Sequence, residues 1–397
     1  MTPVPLDLPL RPPEAAEVAN LVFWLAEHKP LKEEVRGRIG SRLAAMGLES
    51  LRPYPGSLER DPVHHSTYYM AVDGQNGEPL LLHMAPAAAP TSSIFPKPLL
   101  ICRMRQTNGP EIVLNAIPFG PGDYESIELF AAKIDPAFLP RAQASRPALV
   151  ATANFTAFEG FRAIWKTTRK NLASIAMAPG QTPAEFYYAG IWAAIRAGWR
   201  EGYTAGIAIA LESVDIEPVH LAIRQTAPLT RFVIDVSTLV GIESAGGAVE
   251  PPCFDTGTEW QFSAVERSLL AAKYGEALKA AERVHELIRQ ARATRKITRP
   301  FDFEFSLENA PTPSTAADLV FCLGWLKARG HAAQLFAPRT NPGADLSALA
   351  AAARFSQCTL SLDARAGDLA SIGRATAGRV NFRLGGESPQ SAGELFA

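Results

Sequence analysis

Residues 301–308, Phe-Asp-Phe-Glu-Phe-Ser-Leu-Glu, alternate apolar and polar side chains at every position. In a strand, Asp302, Glu304, Ser306 and Glu308 share one face, and Phe301, Phe303, Phe305 and Leu307 share the other. Long stretches with helical periodicity flank this segment, which places it in a sheet covered by helices. The phenylalanines are expected to pack on those helices and the acids to point into a closed sheet. Carboxylates withdrawn from water persist when they are paired, hydrogen-bonded or bound to a cation. The same parity on neighbouring β-rich runs adds Asp235 and Ser237, Ser361 and Asp363, and Asn381 and Arg383, with Arg339 at a strand end. Carboxylates gathered at neighbouring strand ends could hold a hard divalent cation or move a proton. An arginine beside them could grip a ligand carboxylate with two hydrogen bonds. The acids and arginines could equally neutralise one another in a buried network, and Asp363 with Arg383 would suit such a pair.

The elements that must position these residues alternate after residue 98. Strands are predicted at about 148–154, 171–177, 205–211, 231–238, 302–308, 332–337, 358–363 and 379–384. Helices are predicted between them, among them Ala184–Arg200, Ser263–Arg292, Thr315–Arg329 and Leu346–Phe355. Eight β/α repeats predict an α/β protein built as a (β/α)8 TIM-like barrel, with its functional groups at the C-terminal strand ends. No Gly-x-Gly-x-x-Gly follows any strand, which argues against an open doubly wound sheet. On the 205–211 strand, Gly206, Ala208 and Ala210 face inward and leave space without chemistry. Only a short tail follows the last strand, so C-terminal closure is expected to be incomplete unless an N-terminal helix covers the gap.

Residues 1–95 are expected to form a small α+β extension, and residues 96–397 the barrel. Ala15–Glu27 and Leu31–Met46 have helical periodicity, while Tyr68–Val72 and Pro79–Met84 predict a hairpin around Asp73-Gly-Gln-Asn-Gly77. Ala85–Pro96, rich in Ala, Pro and Ser, is expected to be a linker. The apolar runs Leu99–Arg103 and Ile112–Ile117 would then lead into the barrel as a hairpin or displace its first strand.

Composition excludes several classes. A hydrophobic share of 47% with 20% charged residues describes a globular chain with ample core. Lys plus Arg (39) balance Asp plus Glu (40), so no global field draws nucleic acid or an anionic membrane. The N-terminus lacks the basic start and apolar run of a signal peptide, and a cytoplasmic location is expected. Cys102, Cys253, Cys322 and Cys358 show no Cys-x-x-Cys spacing and are expected to be buried reduced thiols. None of the histidines has a metal-ligand spacing at a predicted strand end. His285 falls in a charged helical stretch and is expected at the surface. The basic run Arg289–Lys296 ends a long helix and complements its dipole. No Ser-His-Asp set, nucleophile elbow or phosphate loop is present.

Longer blocks carry a resemblance. Asn115-Ala-Ile-Pro-Phe-Gly-Pro-Gly-Asp-Tyr124, Ala194-Ile-Arg-Ala-Gly-Trp-Arg-Glu-Gly-Tyr203 and Arg299-Pro-Phe-Asp-Phe-Glu-Phe-Ser306 resemble the tagaturonate epimerase family. So do Thr312-Pro-Ser314, Leu335-Phe-Ala-Pro-Arg339 and Ala377-Gly-Arg379, in order from about residue 110 onwards. The resemblance implies a metal-dependent barrel that interconverts D-tagaturonate and D-fructuronate, ketose acids that differ at C4. It implies a divalent metal and a small-molecule sugar acid as partners. Within it, Glu308 and Asp363 become candidate catalytic acids. Asp235 and Glu304 become candidate metal ligands, and Arg339, Arg383, Asn381 and Ser237 candidate substrate contacts.

The departures fall on the chemistry. Where the family supplies an Asp-x-Asp-His-like run, this chain has Gly206-Ile-Ala-Ile-Ala210. Asp363 and Asn381 stand where the family has histidines, and Glu308-Asn-Ala-Pro-Thr-Pro313 keeps one acid of an Asp-Glu-Thr-Glu-Thr-Pro-like segment. Three readings follow: an epimerase whose carboxylates hold Mg²⁺ or Mn²⁺ without imidazole, a non-catalytic descendant that binds a sugar acid or a partner, and a structural network with no metal.

Overall fold

The computed structural model describes residues 6–8, 51–53, 59–61, 65–73, 79–88, 99–104, 111–118, 128–132, 135–142, 149–150, 171–173, 203–242, 260–341, 344–363, 369–377 and 380–383, with scattered positions between 184 and 200. The chain groups into two units, Met1–Leu139 with Tyr188–Glu201, and Pro140–Tyr187 with Gly202–Ala397.

The first unit is built on a sheet of β1 (Leu6–Leu8), β2 (Leu51–Pro53), β3 (Glu59–Asp61), β4 (Ser66–Asp73), β5 (Pro79–Pro86), β6 (Leu99–Met104) and β7 (Ile112–Pro118). Its order is β1-β6-β7-β5-β4-β2, with β3 also paired to β4. Strands β4 and β5 are the predicted hairpin. The helical stretches predicted at 15–27 and 31–46 lie outside the described residues. The β6–β7 hairpin pairs through β7 with β5, so this sheet runs past residue 95. The physical reason is edge pairing: β5 offers β7 a second row of backbone donors and acceptors along its full length. On one face, Tyr68 stacks on its register partner His83 with centroids 4.6 Å apart, and Phe130 meets Tyr68 edge-on at 5.3 Å.

The second unit contains β8 (Leu149–Val150), β9 (Asn171–Ala173), β10 (Tyr203–Thr204), β11 (Gly206–Ala210), β12 (Arg231–Asp235), β13 (Asp302–Ser306), β14 (Leu335–Ala337), β15 (Thr359–Asp363) and β16 (Val380–Arg383). Seven of these form a parallel sheet in the order β11-β12-β13-β14-β15-β16-β9. Strand β8 pairs in parallel with β10, and Ala205 alone separates β10 from β11. Each predicted run therefore contains an observed strand. Helices α1 (Glu217–Thr226), α2 (Ala264–Thr294), α3 (Ala316–Ala328), α4 (Leu346–Phe355) and α5 (Leu369–Ala375) follow β11, β12, β13, β14 and β15 in turn.

Local chemistry explains where the helices begin. Ser263 caps α2 and Thr315 caps α3, each closing a capping box with Glu266 or Asp318. The Asp345 side chain accepts from Ala348 N at 3.0 Å to start α4. Packing explains the sheet. Strand β13 is buried throughout, with Phe303 and Phe305 0% exposed. Each such phenylalanine contributes about 2–3 kcal/mol by leaving water. Phe303 meets His285 of α2 edge-on at 4.8 Å, and Phe305 stacks on Phe336 of β14 at 6.1 Å.

One surface expectation is corrected, and one residue of the basic run is buried. His285 is buried, because it shares a helix face with Ala281, Val284 and Ile288, the side of α2 that covers β13. Arg292, within the basic run, is 3% exposed and donates to the carbonyls of Ala227 at 2.7 Å, Leu229 at 2.6 Å and Arg299. It ties α2 to the turns that lead into β12 and β13. Cys322 and Cys358 are buried free thiols. No described helix is long and apolar enough to cross a membrane.

Candidate functional site

Strand β12 stops at Asp235 instead of running to residue 238 as predicted. Asp235 Oδ1 accepts from Ser237 N at 3.0 Å and from the Ser237 hydroxyl, which turns the chain into a short 3-10 segment, Ser237–Leu239. Asp235 Oδ2 accepts from Asn309 Nδ2 at 2.7 Å, and Asn309 N donates to Ser237 Oγ at 3.0 Å. Beyond β13, Glu308 N donates to Ser306 Oγ at 3.4 Å. Arg339 Nη1 donates to the Glu308 carbonyl at 3.2 Å, and Arg339 N donates to Ser314 Oγ at 3.0 Å. Asp235, Ser237, Glu308 and Arg339 thus gather at the C-terminal ends of β12, β13 and β14. Glu308 is half-buried and Arg339 exposed. Ala208 and Ala210, the register partners of Val233 and Asp235, are exposed as well.

One layer deeper the site changes character. Arg231, 2% exposed, donates from Nε to Glu304 Oε2 at 3.0 Å and pairs with the same oxygen through Nη2. Glu304 is 0% exposed. Arg231 Nη2 also donates to Ser361 Oγ at 3.1 Å, and Asn381 Nδ2 reaches that hydroxyl at 3.5 Å. The network joins β12, β13, β15 and β16, passing over β14.

That span has a geometric consequence. The register sets Arg231 beside Asp302, and Ser361 lies three strands over and four residues further along. In a flat sheet those offsets are roughly 14 Å and 13 Å, beyond the span of one arginine side chain. The sheet therefore curls so that β15 comes over β12, and its concave face holds Glu304, Ser306, Ser361 and Asn381.

Asp363 and Arg383 are register partners on adjacent strands, and their side chains lie outside the described residues. Glu304 sits two residues below the level of Asp235, about 7 Å along the strand. Glu304 is bonded to Arg231, while both Asp235 oxygens receive hydrogen bonds from Ser237 and Asn309. Among the described residues no three His, Cys, Asp or Glu side chains converge on a point that could hold a metal ion. The described donor set does not fit a divalent cation.

Sequence reasoning missed Arg231 and Asn309. Parity could have found Arg231, which alternates with Val233 and Asp235. Asn309 carried no such signal, because it acts from a turn.

No protein-family model and no curated protein matches the chain. Solved structures do. The crystal structure of fructuronate-tagaturonate epimerase from Cohnella laeviribosi with one glycerol bound superposes at a TM-score of 0.61 with 17% identity, covering 89% of this chain and 75% of that one. The native form of the same enzyme gives a TM-score of 0.59 at 17% identity, covering 88% and 74%. At this identity the likeness is one of mixed α/β fold. It falls on the enzymes that the sequence blocks resemble.

Proposed function

We propose that this chain is a (β/α)8 barrel protein and a divergent relative of the fructuronate-tagaturonate epimerases. In this reading it binds a hexuronate-derived ketose at its C-terminal strand ends and has given up metal-dependent C4 epimerisation. The observation that carries the reading is the buried Arg231–Glu304 pair. C4 epimerisation of a ketose acid passes through an enolate, and a divalent cation is the usual means of stabilising one. A carboxylate held by a buried guanidinium is a poor ligand for that cation, because binding it would strand the arginine charge.

The curl of the sheet supports barrel closure, as does the run from β10, paired to β8, into β11 at the other sheet edge. The strand-end groups suit a polyhydroxy acid. Asp235, Ser237 and Asn309 already form a set of hydroxyl-like donors and acceptors, and the exposed Arg339 guanidinium stands beside it to meet a carboxylate. Exposed Ala208 and Ala210 leave that region open from the β11 side.

The test is to incubate purified protein with D-tagaturonate or D-fructuronate, in chelator and then in Mg²⁺ or Mn²⁺, while following interconversion and melting temperature. Stabilisation by the ketose acid without turnover is the expected result. Metal-dependent turnover would restore the epimerase reading, and indifference to both sugars would leave the polar network a structural one.

A further inference from the structure

Two imidazoles meet inside the helical layer, away from the strand ends. His285 on α2 and His331, in the turn from α3 to β14, bring their Nδ1 atoms to 3.0 Å, and each residue is 8% exposed. Gly330, with φ at 83°, turns the chain so that His331 N donates to Leu326 O at 2.9 Å, which fixes His331 against the end of α3. At that separation one Nδ1 carries the shared hydrogen and the other is bare and accepts it. His331 Nε2 lies 3.6 Å from Glu282 Oε1.

The surroundings are asymmetric. Helix α2 contributes Glu282, Glu286 and Arg289, and Arg329 at the end of α3 donates to Glu282 Oε1 at 2.8 Å. Strand β13 contributes only rings, Phe303 at 4.8 Å and the neighbouring Phe301 at 5.4 Å from His285. Arg292 lies over the Phe301 ring at 5.2 Å.

We propose that the His285–His331 pair, with His331 Nδ1–H donating to the bare Nδ1 of His285, is an acid-sensitive latch, which clamps α2 and the α3–β14 turn onto the outer face of β13 at neutral pH and opens when His285 takes up a proton on that nitrogen. A second hydrogen between the two Nδ1 atoms ends the hydrogen bond, sets two N–H groups against each other and leaves a charge against two phenylalanines. Strand β13 carries Glu304 on its opposite face, so release of the latch loosens the strand that supports the lumen network.

Burial first, then the neighbouring His331 and Arg289, lower the His285 pKa from 6.5 to about 4. The unfolded chain therefore takes up this proton before the folded one as pH falls. The stabilisation is complete above about pH 6.5 and is lost progressively as pH falls towards 4. From these values, His285 alone lowers the folding equilibrium constant about 20-fold between pH 7 and pH 5.

The experiment is urea unfolding of the full chain at pH 7 and pH 5, comparing wild type with His285→Gln and His331→Phe. A glutamine amide oxygen can still accept from His331 but does not titrate. Wild type should lose about 20-fold more of its folding constant than H285Q over this interval. Parallel pH dependence in the two proteins would overturn the latch, as would stabilisation of wild type by Zn²⁺ at pH 7, which would make the pair a metal site. Should neither variant fold, imidazole nitrogen NMR of wild type decides the matter. A bare Nδ1 on His285 at pH 7 supports the latch, and an Nδ1–H there refutes it.

Discussion

Removing one partner of the Arg231–Glu304 pair should be far more damaging than removing both. The two residues are 2% and 0% exposed, and Arg231 also serves Ser361. Arg231→Met leaves the Glu304 carboxylate in the concave face of the sheet without its guanidinium, and Glu304→Leu leaves the guanidinium without its carboxylate. Each single change is expected to cost about 3–5 kcal/mol. The double variant Arg231→Met/Glu304→Leu fills similar space with apolar groups and should regain most of that loss. Chemical denaturation at pH 7, followed by circular dichroism and tryptophan fluorescence, gives the four stabilities needed for a coupling energy. The coupling should change little between low and high salt, because water and ions do not reach the pair. Additive single-variant losses, or a cost below about 1 kcal/mol for Arg231→Met, would refute the view that these two charges neutralise each other.

Other consequences follow from the same structure. Arg292→Ala strips donors from the carbonyls of Ala227, Leu229 and Arg299 and should cost about 3 kcal/mol or more, seen as a lower urea midpoint, with Arg292→Lys recovering part of it. Ser263→Ala and Thr315→Ala each remove a capping hydroxyl and should each cost about 1 kcal/mol, additively because they cap different helices. Cys322 and Cys358 are buried, and burial raises both thiol pKa values, so a thiol reagent with peptide mapping should find them unmodified in native protein and labelled in urea. Rapid native labelling of either would mean that its helix–sheet packing opens.

Much of the second unit was legible because its signals are local. The alternation in residues 301–308 reports a strand and its two faces, and Thr315-x-x-Asp318 reports a capping box, without reference to any distant residue. What escaped depends on the curl of the sheet. Parity assigns Glu304 and Ser361 to one face, but nothing along the chain says that Arg231 reaches across β14 to touch both. His285 was misjudged for a related reason: its immediate neighbours are charged, while the partner that makes burial tolerable lies on another element. The sheet that the β6–β7 hairpin joins escaped because an alternating apolar run suits either sheet equally well, and only the presence of the β5 edge decides between them. Asp235 as a metal ligand rested on strand parity and the family resemblance, and the turn chemistry of Ser237 and Asn309 gives its oxygens hydrogen-bond partners.

The most direct test of the account is calorimetric titration of chelator-treated protein with D-tagaturonate, alongside the Arg339→Ala variant. Binding to the metal-free wild type, weakened at least tenfold in the variant, is the predicted result. Binding or turnover that appears only after a divalent cation is restored would contradict the account and return Glu304 and Asp235 to the role of metal ligands.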